Sequence, residues 1–334
     1  MSIEVIAPNR IDLAGGTTDL YPVYLFMDGG FTVNAAISVQ SKTVLKTINE
    51  PEIRIKSQDL DASTVLDLSL KGDSTGPLSL VIKALKAFPP TTGLEILTEN
   101  QAPRGSGLGA SSALLISLIC ALAKLRNEKW THSQIIHYAA DVETSLIGVP
   151  AGKQDHIAAF YGGISFIEFG YTGFSRKTCK NEHDVSRALE EMIILSYTGE
   201  GRFSGMNNWD VTRNVIESVG DVKSKLIQIR DVAIQLAKAI DKRDWDEMAN
   251  LMDAEWNLRK SLAPGVSTPA IDSIMRAASQ SGALASKICG AGGGGCMITM
   301  VRPKHRVAVE KSISETGGSL IPFKIADQGA NSTL

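Results

Sequence analysis

Pro103-Arg104-Gly105-Ser106-Gly107-Leu108-Gly109-Ala110-Ser111-Ser112-Ala113 is the stretch on which the fold of this chain turns. Upstream, Gly93 to Thr98 reads as a strand. Downstream, Ser111 to Leu125 reads as an apolar helix. The segment therefore joins a strand to a helix. Its glycines let backbone N–H groups approach an anion without a Cβ in the way, and the helix start adds unpaired N–H groups and partial positive charge. Such a loop suits a polyphosphate. Ser111 and Ser112 can cap the helix, or one hydroxyl can ligate Mg²⁺. Gly105, Gly107 and Ala110 also fit G-x-G-x-x-G/A. A dinucleotide fold, however, wants an acidic residue about 20 positions on, where this chain continues as helix and polar turn, Lys124 to Trp130. The G-x-x-x-x-G-K-[ST] pattern and the H-R-D and D-F-G triplets are absent.

Three further segments carry candidate chemistry. Ala7 to Leu20 contains Arg10, a fixed cation able to neutralise charge on a transferring phosphoryl group. It also contains Asp19, which follows Gly15-Gly16-Thr17-Thr18 and can accept hydrogen bonds from the hydroxyls of a polyol. Gly148-Val149-Pro150-Ala151-Gly152-Lys153-Gln154-Asp155-His156 places Asp155 at the start of a short helix, where it is either a cap or the base that orients a hydroxyl. Glu143 lies near the end of the preceding amphipathic helix, capped by Ser133. The run Gly290-Ala291-Gly292-Gly293-Gly294-Gly295 is either a hinge or a site of close backbone approach. His156 reads as structural or supporting, and the other histidines form no ligand pattern.

Length and composition set the limits. With 334 residues the chain is long enough for two domains; it is 43% apolar and 21% charged, with a net charge of −2. That balance argues against disorder and against a nucleic-acid partner. Ala113 to Leu125 falls short of the roughly 20 apolar residues that a membrane span needs. The opening Met1-Ser2-Ile3-Glu4 lacks the basic start of a signal peptide. Four scattered cysteines without C-x-x-C suggest neither disulfides nor zinc. A cytoplasmic location is expected.

The order of elements implies α+β rather than strict βαβ alternation. Strands are expected at Ile3 to Ala7, Phe31 to Ser38, Val44 to Thr47, Ile53 to Lys56, Ile164 to Phe169, Met192 to Tyr197, Cys296 to Val301 and Ser319 to Ile325. Helical patterns fill most of Trp209 to Ser281. The polar stretch Tyr171 to Asp184 is read as a boundary, dividing the chain into residues 1–178 and 179–334.

Taken in order, these segments resemble the GHMP kinase superfamily over nearly the whole chain. Pro103 to Ala113 is similar to its phosphate loop, Ala7 to Arg10 to its first motif and Lys287 to Gly295 to its third. Ala14 to Leu20, Asn34 to Ile37, Gly152 to Asp155 and Leu262 to Ser267 resemble D-glycero-D-manno-heptose 7-phosphate kinases and the related fucokinases. The resemblance implies a two-domain fold, with an N-terminal domain like ribosomal protein S5 domain 2 and a ferredoxin-like C-terminal domain. It implies an ATP-dependent kinase using Mg²⁺ on a sugar or sugar phosphate, as monomer or homodimer, with no nucleic acid or membrane partner.

Residue by residue, the resemblance makes Asp155 and Arg10 catalytic. It assigns Pro103, Gly105, Ser106, Gly107, Leu108, Gly109, Ala110, Ser111 and Ser112 to the nucleotide, and Ser112 and Glu143 to the metal. Asp19, Gly16, Thr17, Gly152, Gly292 and Gly293 fall to the acceptor. Arg202 is a candidate contact for an acceptor phosphate. The first motif, with Asn9 and Asp12, is nearer to fucokinases, and Tyr197 to Gly205 departs from the heptose kinase pattern.

Overall fold

The computed structural model describes residues 1–71, 75–201 and 205–333. Seven strands form a mixed sheet: β1 (Ser2–Ala14), β2 (Gly30–Ile48), β3 (Glu52–Ser57), β4 (Ala62–Asp67), β5 (Gly93–Asn100), β6 (Ile164–Gly170) and β7 (Gly173–Lys177). The order is β4-β3-β5-β2-β6-β7, with β1 paired to β2 from Ser2↔Lys46 to Ala14↔Val33. Among the described residues, only β3 and β5 run parallel. Four helices, α1 (Ser79–Ala87), α2 (Ala110–Leu125), α3 (His132–Ile147) and α4 (Gln154–Tyr161), enclose a core with this sheet. Leu115, Ile116, Leu118 and Ile119 all lie buried, so α2 is apolar around most of its circumference and runs through the middle of that core.

The second half begins with α5 (Glu182–Met192) and β8 (Ile193–Tyr197). It continues through α6 (Gly205–Ile216), α7 (Val222–Lys242), α8 (Trp245–Arg259) and α9 (Pro269–Gln280). The hairpin β9 (Ala283–Ile288) and β10 (Cys296–Val301), then α10 (Arg306–Glu315) and β11 (Ser319–Leu320), complete a second, antiparallel sheet ordered β11-β8-β10-β9. Its fourth strand lies beside its first, the ferredoxin-like order. Residues alternate across it. Ile194, Met297 and Val301 pack with α9 and α10, whereas Ile193, Leu195, Ile298 and Met300 share a core with α7 and β2. That shared core joins the two halves. Among the described residues, no helix is long and apolar enough to cross a membrane.

Several elements differ from the sequence expectation. β1 runs on to Ala14, and β2 is continuous where two strands were expected. The polar Ser41 and Thr43 look like a break, but Thr43 Oγ1 meets Ser117 Oγ at 2.7 Å and Ser41 Oγ donates to Asn9 Oδ1 at 3.3 Å. The cap of α3 is Thr131, not Ser133: Thr131 and Gln134 form a reciprocal capping box. α5 occupies the end of the polar stretch, burying only Val185, Ser186, Leu189 and Met192 along one face. The expected closing strand ends at Leu320, because Pro322 offers no N–H. The chain then crosses back: Ser38 N donates to Lys324 O at 2.8 Å and Gly163 N to Ala326 O at 2.7 Å.

Candidate active site

The glycine loop between β5 and α2, the end of β1 and the start of α4 converge on one cleft of about 640 Å³. α2 begins at Gly109, whose φ of +74° is a left-handed conformation, and no side chain caps it. The serines expected as caps sit inside the first turn instead. The N–H groups of that turn therefore have no side-chain partner and sit at the cleft wall, an arrangement suited to an anion. Of the loop residues Pro103 to Ser112, all but Leu108 line the cleft. Leu108 is the member of the expected nucleotide set that does not line the cleft. Its side chain is buried in the core, and its carbonyl accepts from Arg10 N at 3.0 Å.

The serine hydroxyls are held by a carboxylate from α3. Ser112 Oγ donates to Glu143 Oε2 at 2.7 Å, Ser111 Oγ donates to Oε1, and His156 Nε2 from α4 lies 3.0 Å from Oε2. Burial pushes the Glu143 carboxyl up. The His156 ring and the two hydroxyls outweigh burial and hold it below the ordinary carboxylate range. His156 is fully buried, in the supporting position its sequence context suggested.

Asp155 stands in the first turn of α4, facing the loop. Arg10 grips it from β1: Nε donates to Oδ1 at 2.8 Å, Nη2 lies 2.6 Å from the same oxygen, and Nη1 donates to Gly107 O at 2.6 Å. Burial raises the Asp155 carboxyl. Arg10 opposes this and Glu143 adds to it, so the group ends above its usual value. For Arg10, burial works against the charge, but Asp155 and Asp12 more than offset it and the guanidinium stays charged. A Cβ on Gly109 would stand 2.9 Å from the Asp155 Cβ, so this glycine makes room for the carboxylate.

At the near end, Asp19 accepts from Gln154 N at 3.0 Å through Oδ2. A Cβ on Gly152 would fall 2.2 Å from that oxygen. Burial lifts the Asp19 carboxyl to about 6, against the pull of the Gln154 N–H. Gly16, Thr17 and Gly152 line the same end. Gly292 and Gly293 are not among the lining residues. A Cβ on Gly292 would strike Val266, and Gly293 N donates to Val266 O at 2.7 Å. Gly290 and Ala291 line the cleft in their place. The glycine run owes its composition to backbone packing: Cys296 N donates to Ser106 O at 2.7 Å, and a Cβ on Gly107 would stand 2.5 Å from Cys289 O. Arg202 lies outside the described residues.

Sequence reasoning missed the charges beneath this end. Asp12, Glu255, Arg259 and Lys287 are all buried together. The signal available was Glu255 and Arg259 four apart on a helical pattern, which reads as an ordinary exposed pair.

With this geometry in place, the comparisons are decisive for the family. The GHMP kinases N terminal domain matches residues 79–163, and the GHMP kinases C terminal domain matches residues 236–318. The chain belongs to the GHMP kinases. It is thus an ATP-dependent phosphotransferase with the two-domain fold of that family. It is 27% identical over 344 residues to D-glycero-alpha-D-manno-heptose 7-phosphate kinase of Campylobacter jejuni, covering 99% of this chain and 98% of that protein. The bifunctional fucokinase/GDP-fucose pyrophosphorylase of Arabidopsis thaliana is 26% identical over 91% of this chain but only 30% of its own length. A mevalonate kinase of Pyrococcus furiosus is 27% identical, with 98% of each chain covered. A solved D-glycero-D-manno-heptose 1-phosphate kinase of Bacteroides thetaiotaomicron superposes with a TM-score of 0.79 at 25% identity, covering 98% of this chain and 97% of that one.

Proposed function

We propose that this GHMP kinase transfers the γ-phosphoryl group of ATP to O1 of a sugar, with D-glycero-D-manno-heptose 7-phosphate as the acceptor. The observation that carries the reading is the Arg10–Asp155 pair, at 2.6 to 2.8 Å, set between the glycine loop and Asp19 in one cleft. The nucleotide phosphates lie along Gly105 to Ser112, against the uncapped N–H groups of α2. Asp19 accepts hydrogen bonds from sugar hydroxyls. The acceptor O–H gives its proton to Asp155 while its oxygen bonds the γ-phosphorus. The bond from that phosphorus to the β,γ-bridging oxygen breaks, and ADP leaves with the electron pair. Arg10 stays protonated throughout and faces the charge that develops. Holding these groups in place supplies most of the rate, since phosphoryl transfer depends on position and electrostatics.

The residues fit Mg²⁺. Ser111, Ser112 and Glu143 offer hard oxygen donors beside the phosphate loop, with the carboxyl held in its ionised form. Among the described residues, no group of three or more His, Cys, Asp or Glu could form a cage. Ser112 and Glu143 would hold Mg²⁺, and when bound it would neutralise charge on the phosphate oxygens.

A second reading, a fucokinase- or galactokinase-type enzyme acting on a free sugar, is favoured by the charge at the acceptor end. Asp12, Asp19 and Asp155 line it, and its cations Arg10 and Arg259 are already hydrogen-bonded within the protein. Asp19 and the threonines beside it suit a polyol better than mevalonate, with its single carboxylate and methyl group. A coupled ADP-release assay with Mg-ATP against the heptose 7-phosphate, the free heptose, galactose, fucose, mannose and mevalonate separates these readings. Turnover on a free sugar alone would move the substrate and keep the mechanism. ATP binding without turnover on any of them would point to a sensor. Asp155→Asn should lower kcat at least ~100-fold with the KM for ATP nearly unchanged; near-normal turnover would remove Asp155 from its role.

A further inference from the structure

Four ionisable side chains meet beneath the acceptor end, apart from Asp155. Asp12 comes from β1, Glu255 and Arg259 from successive turns of α8, and Lys287 from β9; Arg259, the most exposed of them, is 2% exposed. Two acids and two bases balance. Arg259 Nε and Nη2 donate to Glu255 Oε1 at 2.9 and 2.8 Å, and Nη2 reaches Asp12 Oδ2 at 3.3 Å. Lys287 Nζ lies 3.0 Å from Glu255 Oε2 and 3.5 Å from Asp12 Oδ2. Buried charges of this kind often stabilise no better than apolar residues of the same volume. Stability alone is therefore a weak account of them.

The remaining arm of Arg259 supplies a better one. Nη1 donates to Gly290 O at 2.9 Å and to Thr17 Oγ1 at 3.3 Å, and both residues line the cleft. Thr17 has a φ of +75°, a conformation that costs a β-branched residue energy and that only over-determined surroundings preserve. Gly16 is pressed onto the same cluster: a Cβ there would stand 2.4 Å from Asp12 Oδ2 and 2.5 Å from Arg259 Nη2. Asp19 follows two residues after Thr17. A cation from the second half of the chain thus clamps a strained turn of the first half to the glycine run opposite.

We infer that Arg259 is a positioning residue for the acceptor, holding the 15–19 turn and Gly290 at a fixed separation while Asp12, Glu255 and Lys287 hold Arg259. The inference rests on the reading of the Asp19 end as the acceptor end. All five guanidinium N–H donors have partners in the fold, so Arg259 acts through Thr17 and Gly290 rather than on the acceptor itself.

Two variants test it. Arg259→Lys keeps a charge beside Glu255 but cannot fork to Thr17 and Gly290. Thr17→Gly leaves the four charges intact and removes both the hydroxyl and the strain, so it decides the matter alone if Arg259→Lys fails to fold. The first readout is hydrogen exchange, which needs no substrate. Thr18 N and Leu20 N donate within the turn at 3.1 and 3.3 Å, and their exchange should speed at least ~10-fold, with that of residues 110–116 unchanged. The second is the KM for D-glycero-D-manno-heptose 7-phosphate, expected to rise at least ~10-fold while the KM for ATP stays within ~2-fold. A merely structural role would lower Tm and the active fraction and leave both KM values alone. Unchanged exchange in the turn overturns the inference. So does an unmoved acceptor KM in both variants when Asp19→Asn raises it. Faster exchange with an acceptor KM that Asp19→Asn also leaves unmoved supports the clamp and overturns the acceptor reading instead.

Discussion

Asp19→Asn should make this protein more stable and a worse enzyme, and the size of the gain follows from the site. Burial lifts the Asp19 carboxyl from 3.8 to about 6. A rise of about two pH units corresponds to about 3 kcal/mol spent on keeping the carboxylate ionised in the fold. The sign follows from proton binding. The folded state holds this proton more tightly than the unfolded state, so its contribution is favourable in acid and lost as pH rises through about 6. Asparagine carries no such charge. Its oxygen still accepts from Gln154 N, though a neutral acceptor gives up about 1 kcal/mol relative to a charged one. The net gain above pH 6 is about 1–2 kcal/mol, or roughly 1–3 °C in Tm for a chain of this size. Thermal unfolding of both proteins at pH 4.5 and pH 8 measures it. The Tm advantage should be near zero at pH 4.5 and full at pH 8. At the same time the acceptor KM should rise at least ~10-fold, because the carboxylate that accepts the hydroxyl bonds is gone. A variant no more stable than the parent at pH 8 would refute the claim that the fold strains to hold this charge.

Three other outcomes are expected. Gly109→Ala places a Cβ 2.9 Å from the Asp155 side chain at a φ of +74°, so kcat should fall at least ~10-fold and stability by about 1–3 kcal/mol, read by steady-state kinetics and urea unfolding. Glu143→Gln should raise the Mg²⁺ concentration for half-maximal rate at least ~10-fold, measured by Mg²⁺ titration at saturating ATP; an unchanged requirement would take Glu143 out of the metal site. Thr131→Ala should cost about 1 kcal/mol by loss of the α3 cap, whereas Ser133→Ala should cost a few tenths at most by denaturant unfolding.

Much of this was legible in the sequence because it depends on local chemistry. The glycines of the loop before α2, the apolar run of α2 and the acidic start of α4 each announce themselves within about a dozen residues. The short apolar runs of β8 and β10 are of the same kind. What local pattern predicts wrongly is informative. Val39 to Thr43 reads as a break between two strands only while the partners of Ser41 and Thr43 in β1 and α2 are unseen. Tyr171 to Asp184 reads as a polar boundary, although α5 begins at its end, because a helix with one narrow buried face has little apolar content.

The sequence by itself determined the family, and it marked the glycine loop, Arg10 and Asp155 as the candidates for phosphate binding and catalysis, since each stands in a contiguous motif. Tertiary structure alone decided which glycines face the cleft. Gly292 and Gly107 look alike in sequence, but one is turned against Val266 and the other against Cys289 O. It also decided that Asp12, Glu255, Arg259 and Lys287 neutralise one another although residues 12 and 287 stand at opposite ends of the chain. The reason is physical. A charge can be buried only where its counter-charge arrives, and here that arrival depends on packing α8 and β9 against β1, a long-range event no local stretch encodes.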